Sequence, residues 1–228
     1  MDGKTIHAPR LPRAVFRVRE PVNALTHFIA MVAAVLAMPV LLVHAAGRGA
    51  EPHALASLSV FMVSMVLLYG ASAAYHAFEL TDRGNRALKK LDHTMIFFLI
   101  AGSYTPVCAV ALRGPAGFRL LVLVWALAFA GGVFKLCWIT CPKWVSSVIY
   151  IAMGWSCLTA LPQLVERLSR GAFLWLLLGG VAYTVGGVVY ALKPRALKQR
   201  LFGCHEIFHL FVMAGSLCHY IFMYFYLI

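Results

Sequence analysis

Long apolar runs separated by short polar connections dominate this chain of 228 residues. A run of about 20 apolar residues has the length that an α-helix needs to cross roughly 30 Å of hydrocarbon. Short connections make consecutive helices antiparallel neighbours. Seven such runs are predicted, over residues 22–44, 54–78, 91–112, 119–138, 145–165, 172–192 and 204–227. The pattern therefore predicts an all-α membrane protein, a seven-transmembrane helix bundle.

Composition supports a membrane as the solvent of this chain. Apolar residues make up 62% of it and charged residues only 12%, whereas a soluble domain averages about 45–50% apolar and about 25% charged. We predict one helical domain over residues 22–228, preceded by a tail over residues 1–21. The first run is longer than the core of a secretory signal, so it is interpreted as a retained helix.

The basic residues predict an orientation. Fifteen Lys and Arg residues flank the helix ends on the side of the N-terminus, and five flank the other side. Basic residues concentrate in the cytoplasmic connections of membrane proteins. The N-terminus is therefore predicted to be cytoplasmic and the C-terminus extracytoplasmic. Lipid-spanning segments separate these charges, so they form no continuous face for nucleic acid, and none is expected as a partner.

Five polar side chains within the apolar runs carry the candidate chemistry. The predicted topology places them near the cytoplasmic ends of the second, third and seventh helices, at one depth of the membrane. Ionisable residues inside a bilayer are costly and usually face a cavity with a function. They are Ser72, His76, Asp92, His205 and His209.

The spacing of the histidines predicts a metal site near the cytoplasmic face. His205 and His209 are four residues apart and share one helix face, and His76 ends the second helix. Three imidazoles with a fourth position left for water are typical of catalytic zinc, although ligand type alone does not separate zinc from other metals that bind imidazole. Asp92 and Ser72 are predicted to bond that water or to orient a ligand.

One motif offers a competing interpretation. Residues 205–209 match H-E-x-x-H, in which two histidines bind zinc and the glutamate is the base of a metalloprotease. Glu206 can alternatively cap the start of its helix, where a carboxylate interacts well with the dipole. The third candidate ligand, His76, lies upstream of the motif, which weakens the protease interpretation.

Other polar positions are interpreted as structural. His93 follows Asp92 and is expected to point about 100° away from it on a helix. Cys137 and Cys141 are one turn apart but have no obvious third partner for a metal. His44 and His219 fall near the outer ends of their helices.

Two further patterns concern helix geometry. The sequence Tyr104-Thr105-Pro106 is expected to bend the third helix, because proline removes a backbone donor and clashes with the preceding turn. Paired glycines are expected at close helix contacts. The pairs are Gly131–Gly132, Gly179–Gly180 and Gly186–Gly187.

The ordered set of motifs resembles the haemolysin III-type membrane proteins of the progestin and adiponectin receptor (PAQR) family, over nearly the whole chain. E-x-x-N-x-x-x-H begins the first helix, S-x-x-x-H ends the second, an aspartate begins the third, and H-x-x-x-H lies in the seventh. A G-S-Y-T-P segment in the third helix, residues 102–106, is also similar. The matching residues are Glu20, Asn23, His27, Ser72, His76, Asp92, His205 and His209.

The resemblance implies Zn²⁺ held by His76, His205 and His209, with Ser72 and Asp92 close to its water, and Glu20, Asn23, His27 and Glu206 as accessory residues. It implies a zinc-dependent lipid hydrolase with ceramidase-like amidase chemistry, whose substrate carries an acyl chain. The absence of a long N-terminal region resembles the short bacterial branch, linked to membrane-lipid homeostasis in the inner membrane. A non-catalytic sensor braced by zinc and a pore-forming cytolysin are the alternatives. The oligomeric state stays open.

Overall fold

A computed structural model of the chain describes residues 18–194 and 203–228. Within these residues, seven helices are long and apolar enough to cross a membrane, which confirms the predicted bundle. Most of the predicted tail, residues 1–17, lies outside the described part, as does the connection over residues 195–202. The helices are α1 (Pro21–Gly47), α2 (Pro52–Ala77), α3 (Asp82–Pro106, continued by a π-helix over Val107–Ala111), α4 (Pro115–Cys137), α5 (Lys143–Gly154, continued by a 3-10 segment over Trp155–Ala160 and an α-helical turn over Leu161–Arg167), α6 (Arg170–Leu192) and α7 (Cys204–Phe222, continued by a π-helix over Met223–Leu227).

The helix starts follow from residues suited to that position. Pro21, Pro52 and Pro115 each stand in the first turn, where a missing amide proton costs no hydrogen bond. Thr81 and Ser169 cap α3 and α6, and each side chain accepts a hydrogen bond from a backbone amide. Caps of this kind satisfy donors that would otherwise lack partners.

The start of α3 differs from its prediction. The apolar run begins near residue 91, but the helix begins at Asp82. Its first turns carry Arg83, Arg86, Lys89 and Lys90. The prediction was based on runs of apolar residues, so it left these basic turns out of the helix. The Thr81 cap sets the start of the helix, so α3 extends beyond its apolar part.

The helices close into a bundle. Each of α1 to α4 packs on the next helix, α5 packs on α6, α6 packs on α7, and α7 contacts α1. The core includes Phe61, Phe97 and Phe222, all fully buried. Large apolar side chains such as Leu36 and Val43 point outward, as expected where the surrounding solvent is lipid.

Contacts at the helix ends define two faces of the bundle. On the first, the Glu20 amide donates to the His76 carbonyl at 2.9 Å, which joins the start of α1 to the end of α2. We call this the N-terminal face. On the opposite face, Arg167 Nη1 donates to the Arg113 carbonyl at 2.9 Å, and Arg113 lies 3.6 Å from Glu51. The ends of α2, α3 and α7 that carry the candidate site lie on the N-terminal face.

The proline in α3 changes the helix type. Immediately after Pro106 the α-helix gives way to a π-helix over Val107–Ala111, because proline cannot supply the amide of the regular ladder. One turn earlier, the Tyr104 hydroxyl donates to the Gly154 carbonyl and accepts from the Cys157 amide at 2.9 Å. Tyr104 thereby ties α3 to the point where α5 changes to a 3-10 segment, and it lines a cavity inside the bundle.

The paired glycines mark close contacts, with one exception. A Cβ atom at Gly131 would overlap the ring of Phe97, and one at Gly179 would overlap the imidazole of His219. Gly180 has open space instead, because it faces the cavity. The prediction of close packing is therefore confirmed at Gly131 and Gly179 and is wrong at Gly180.

Gly179 and Gly180 offer a matched test of this packing. Alanine favours a helix interior over glycine by about 1 kcal/mol at both positions. At Gly179 the new methyl group would displace His219, and such overpacking costs about 1–3 kcal/mol. We expect Gly179→Ala to lower the thermal unfolding midpoint in detergent and Gly180→Ala to leave it unchanged or higher. Equal midpoints would contradict the proposed contact.

Candidate metal centre

Three imidazoles meet on the N-terminal face, as the sequence predicted. His76 ends α2, and His205 and His209 lie one turn apart at the start of α7. One ring nitrogen from each lies within 4.8 Å of the other two. His76 and His209 are buried and His205 is partly buried. This group can hold a metal ion.

The spacing of one pair of ring nitrogens fits a tetrahedral metal. His76 Nε2 and His205 Nε2 are 3.3 Å apart. Two nitrogens that each bind zinc at 2.0–2.1 Å in tetrahedral geometry are about 3.3–3.4 Å from one another. In addition, Nδ1 of His205 and Nδ1 of His209 are buried without a hydrogen-bond partner among the described residues. A buried ring nitrogen without a partner is costly unless a water or an ion binds that atom.

Glu20 sets the orientation of His76. Glu20 Oε2 lies 2.8 Å from His76 Nδ1, so His76 donates its Nδ1 proton and leaves the Nε2 lone pair toward His205. A carboxylate that accepts from a ligand imidazole fixes its tautomer and raises its basicity toward a metal. This hydrogen bond, helped by one from Asn23, holds the pKa of the Glu20 carboxyl at about 2, below its usual 4.5. Glu20 therefore stays ionised at any physiological pH.

Asn23 links Glu20 to the start of α7. Its amide nitrogen lies 2.9 Å from Glu20 Oε2 and 3.0 Å from Glu206 Oε1. Glu206 Oε2 accepts from the Gly203 amide at 2.8 Å. Glu206 thus caps α7 and contacts the asparagine rather than the histidine group, so the capping interpretation accounts for it. A carboxylate engaged in this way is poorly placed to act as the base of a metalloprotease.

His27 supports the histidine group from α1. Its ring stacks on that of His209, with centroids 3.7 Å apart and planes 12° from parallel. The ring of Tyr69 contacts His27 edge-on at 5.1 Å. Asn23 and His27 are four residues apart and share one face of α1, and Glu20 precedes the helix on the same side, within 2.9 Å of Asn23. That face covers the site.

Asp92 and Ser72 border a cavity beside the metal group. The cavity has a volume of about 120 Å³ and is lined by His27, His205 and His209 together with many apolar side chains. Ser72 lies one turn before His76 and neighbours the Asp92 carboxylate. Asp92 is outside the group of three ligand nitrogens but faces the same cavity. The five predicted residues are therefore brought together.

Two polar neighbours of the site were not predicted from the sequence. His93 lines the cavity, and its Nδ1 lies 3.3 Å from Asp92 Oδ2. His93 and Asp92 leave the helix in different directions, as expected for consecutive residues, but the His93 imidazole bends back to contact the Asp92 carboxylate. Tyr190 was also missed: its ring lies 5.5 Å from that of His205. No sequence motif marked this tyrosine.

The other cysteine and histidine positions lie away from the metal group. Cys137 is exposed, whereas Cys141 is buried and its sulfur contacts Lys135 Nζ at 3.1 Å. His44 stacks on Tyr224, with ring centroids 4.0 Å apart. Their exclusion from the metal site is consistent with the structure.

The contact between Glu20 and His76 predicts a loss of metal affinity in Glu20→Gln. The amide cannot match the charge of the carboxylate that faces the imidazole, and loss of such a partner typically weakens metal binding about 10–100-fold. Titration of purified protein with Zn²⁺ against a competing chelator measures this change. Glu51→Gln is the matched control, since Glu51 lies on the opposite face, 3.1 Å from His53. The zinc affinity of this control variant should equal that of the parent protein. Equal affinities in the two variants would exclude an orienting role for Glu20.

Comparison with known proteins places this arrangement in a family. A sequence model described as "Haemolysin-III related" matches residues 16–220. Hemolysin-3 of Bacillus cereus is 37% identical over 201 residues, which cover 88% of each chain. A Hemolysin-3 homolog of Bacillus subtilis is 37% identical over 89% of this chain and 92% of its own. The adiponectin receptor protein of Drosophila melanogaster is 25% identical over 94% of this chain and 53% of its own. The chain therefore belongs to the haemolysin-III-related family of membrane proteins.

Proposed function

We propose that this protein is a zinc-dependent hydrolase of the inner membrane that cleaves an amide or ester bond of a membrane lipid. One observation carries the proposal: three imidazoles converge beside a carboxylate and a serine hydroxyl, at the edge of a largely apolar cavity. A purely structural metal site would not need an adjoining cavity. The lipid supplies an acyl chain that fits such walls, and its product supports membrane-lipid homeostasis.

The proposed orientation puts the site near the cytoplasmic face. In the sequence, 15 of the 20 Lys and Arg residues flank helix ends on the side of the N-terminus, which favours a cytoplasmic location for this face. Arg19, for example, packs over the ring of Tyr75 at 4.3 Å, and Lys143 lies 4.2 Å from the centre of the Tyr190 ring. Lipid headgroups would therefore meet the site at the cytoplasmic interface.

Zinc, when bound, activates water and polarises a substrate carbonyl. His76, His205 and His209 would hold it, and Glu20 orients His76. Borderline-soft Zn²⁺ suits an all-imidazole ligand set, whereas Mg²⁺ and Ca²⁺ prefer oxygen.

The remaining polar residues of the cavity have separable roles. An Asp92 carboxylate oxygen accepts the proton of the attacking water and later returns it to the leaving group. The Ser72 hydroxyl steadies the carbonyl oxygen as it gains charge. Apolar residues such as Leu99, Ile100 and Val212 line the same cavity; they hold the acyl chain and keep bulk water from the reacting bond.

A zinc-braced protein without activity is the main rival. The histidines come from two helices and Glu20 precedes a third, so a metal would tie α1, α2 and α7 together. The name of the Bacillus relatives, Hemolysin-3, suggests a pore-forming cytolysin as a further rival. A second cavity adjoins the first, and its lining includes the apolar residues Leu161, Leu164 and Phe173. An apolar lining of this kind argues against a continuous polar pore.

Asp92→Asn separates the hydrolase from the brace. Without its proton acceptor, the enzyme should lose about 100-fold or more of its rate while it keeps its zinc. The assay is release of free fatty acid from a total bacterial lipid extract by purified protein, with zinc content measured on the same sample. Asp82→Asn, an exposed change on the same helix, is the control and should be silent. Equal rates in Asp92→Asn and the parent would support the brace.

His209→Ala should remove zinc and lipid turnover together, because two imidazoles hold the metal much less well than three. Size-exclusion chromatography in detergent checks that the variant stays folded. Zinc loss with fatty-acid release intact would exclude zinc catalysis. Release of a trapped dye from liposomes that contain the parent protein would instead favour the cytolysin.

A further inference from the structure

A second cluster of reactive side chains lies apart from the histidine group, where α4 connects to α5. Lys135 is 1% exposed, although lysine is rarely so deeply buried. Its Nζ donates to Cys141 Sγ at 3.1 Å and to the hydroxyl of Ser146. Cys141 Sγ and Ser146 Oγ are 3.2 Å apart. The three side chains form a closed triangle.

The electrostatics of this triangle are unusual. Among the described residues, no carboxylate lies within ion-pair distance of Lys135. The Lys135 nitrogen meets a thiol and a hydroxyl instead. The triangle therefore holds an amine nitrogen in direct contact with a cysteine sulfur.

We propose that Lys135 and Cys141 form an oxidation-sensitive covalent bridge, a sulfenamide, at the connection between α4 and α5. The oxidant is hydrogen peroxide or a related small peroxide. Peroxide oxidises cysteine to a sulfenic acid, which can condense with a thiol to a disulfide or with a backbone nitrogen to a sulfenamide; an amine nitrogen can attack the same sulfur. In this triangle the nearest nitrogen is the lysine amine.

The chemistry balances in two steps. Cys141 thiol and one peroxide molecule give the sulfenic acid and one water, with sulfur oxidised and the O–O bond reduced. The Lys135 amine then attacks sulfur: the S–N bond forms, the S–O bond breaks, and a second water leaves with the amine proton. Two small thiols reverse the bridge, since they return the amine and the Cys141 thiol and become a disulfide.

The bridge would lie next to the part of α5 that lines the cavity. Ser146 in the triangle precedes Ser147, which lines the cavity together with Tyr150 and Ile151 of α5. A covalent bond would fix the end of α4 to the segment that leads into this wall. The bridge does not depend on the proposed hydrolase activity.

The test uses full-length protein that carries Cys137→Ser. This change removes the exposed cysteine, which could otherwise form a disulfide with Cys141 of the same mass change. After treatment with hydrogen peroxide and digestion with trypsin, we expect the peptide over residues 120–143 uncut at Lys135 and lighter by two hydrogen atoms. Dithiothreitol should restore both the mass and the cleavage.

The matched variant is Lys135→Arg, which keeps the positive charge but offers a guanidinium that is a poor nucleophile. Treated with peroxide and then with dimedone, this variant should carry the dimedone adduct on Cys141, which marks a sulfenic acid with no amine to trap it. A dimedone adduct in the Lys135 protein with trypsin cleavage intact would overturn the bridge. Peroxide treatment that leaves Cys141 unmodified would overturn it as well.

Discussion

Hydrocarbon offers no hydrogen-bond partner to a peptide group, and this constraint governs the structure. Each segment that crosses must satisfy its own backbone, so it forms a helix. Seven crossings joined by short connections alternate in direction, and alternation brings the end of α2 and the starts of α3 and α7 to one face. The residues that carry the candidate chemistry stand at those ends. The lipid environment thus brings together, on one face, residues more than 100 positions apart in sequence.

The site itself depends on how polar atoms are satisfied at that face. Glu20 holds the Nδ1 proton of His76, Asn23 joins Glu20 to Glu206, and Glu206 closes the first turn of α7. This network connects three helices without occupying the Nε2 atoms that face one another. A hydrogen-bonded frame that leaves these two ring nitrogens 3.3 Å apart is suited to a cation.

Residues 205–209 match a protease zinc motif in sequence but not in the position of the glutamate. The two histidines lie on one helix face, as that motif requires. The glutamate between them is drawn away from the histidines by hydrogen bonds to its own helix start and to α1. Its carboxylate meets Asn23 and Gly203, whereas Asp92 lines the cavity beside the histidine group. This chain therefore has the histidine spacing of the H-E-x-x-H motif, but its glutamate is engaged elsewhere.

The amino-acid sequence alone determined the number of spans, their antiparallel order and the common depth of Ser72, His76, Asp92, His205 and His209, because length and hydropathy fix what crosses a membrane. It also placed His205 and His209 on one helix face. The tertiary structure decided how each helix is rotated: that Glu206 turns toward Asn23, that His93 reaches Asp92, that Gly180 faces a cavity, and that Lys135 meets Cys141. In lipid, apolar residues are acceptable on every side of a helix, so the apolar pattern carries little information about rotation. Packing against neighbouring helices sets it, and those contacts exist only once the bundle has formed.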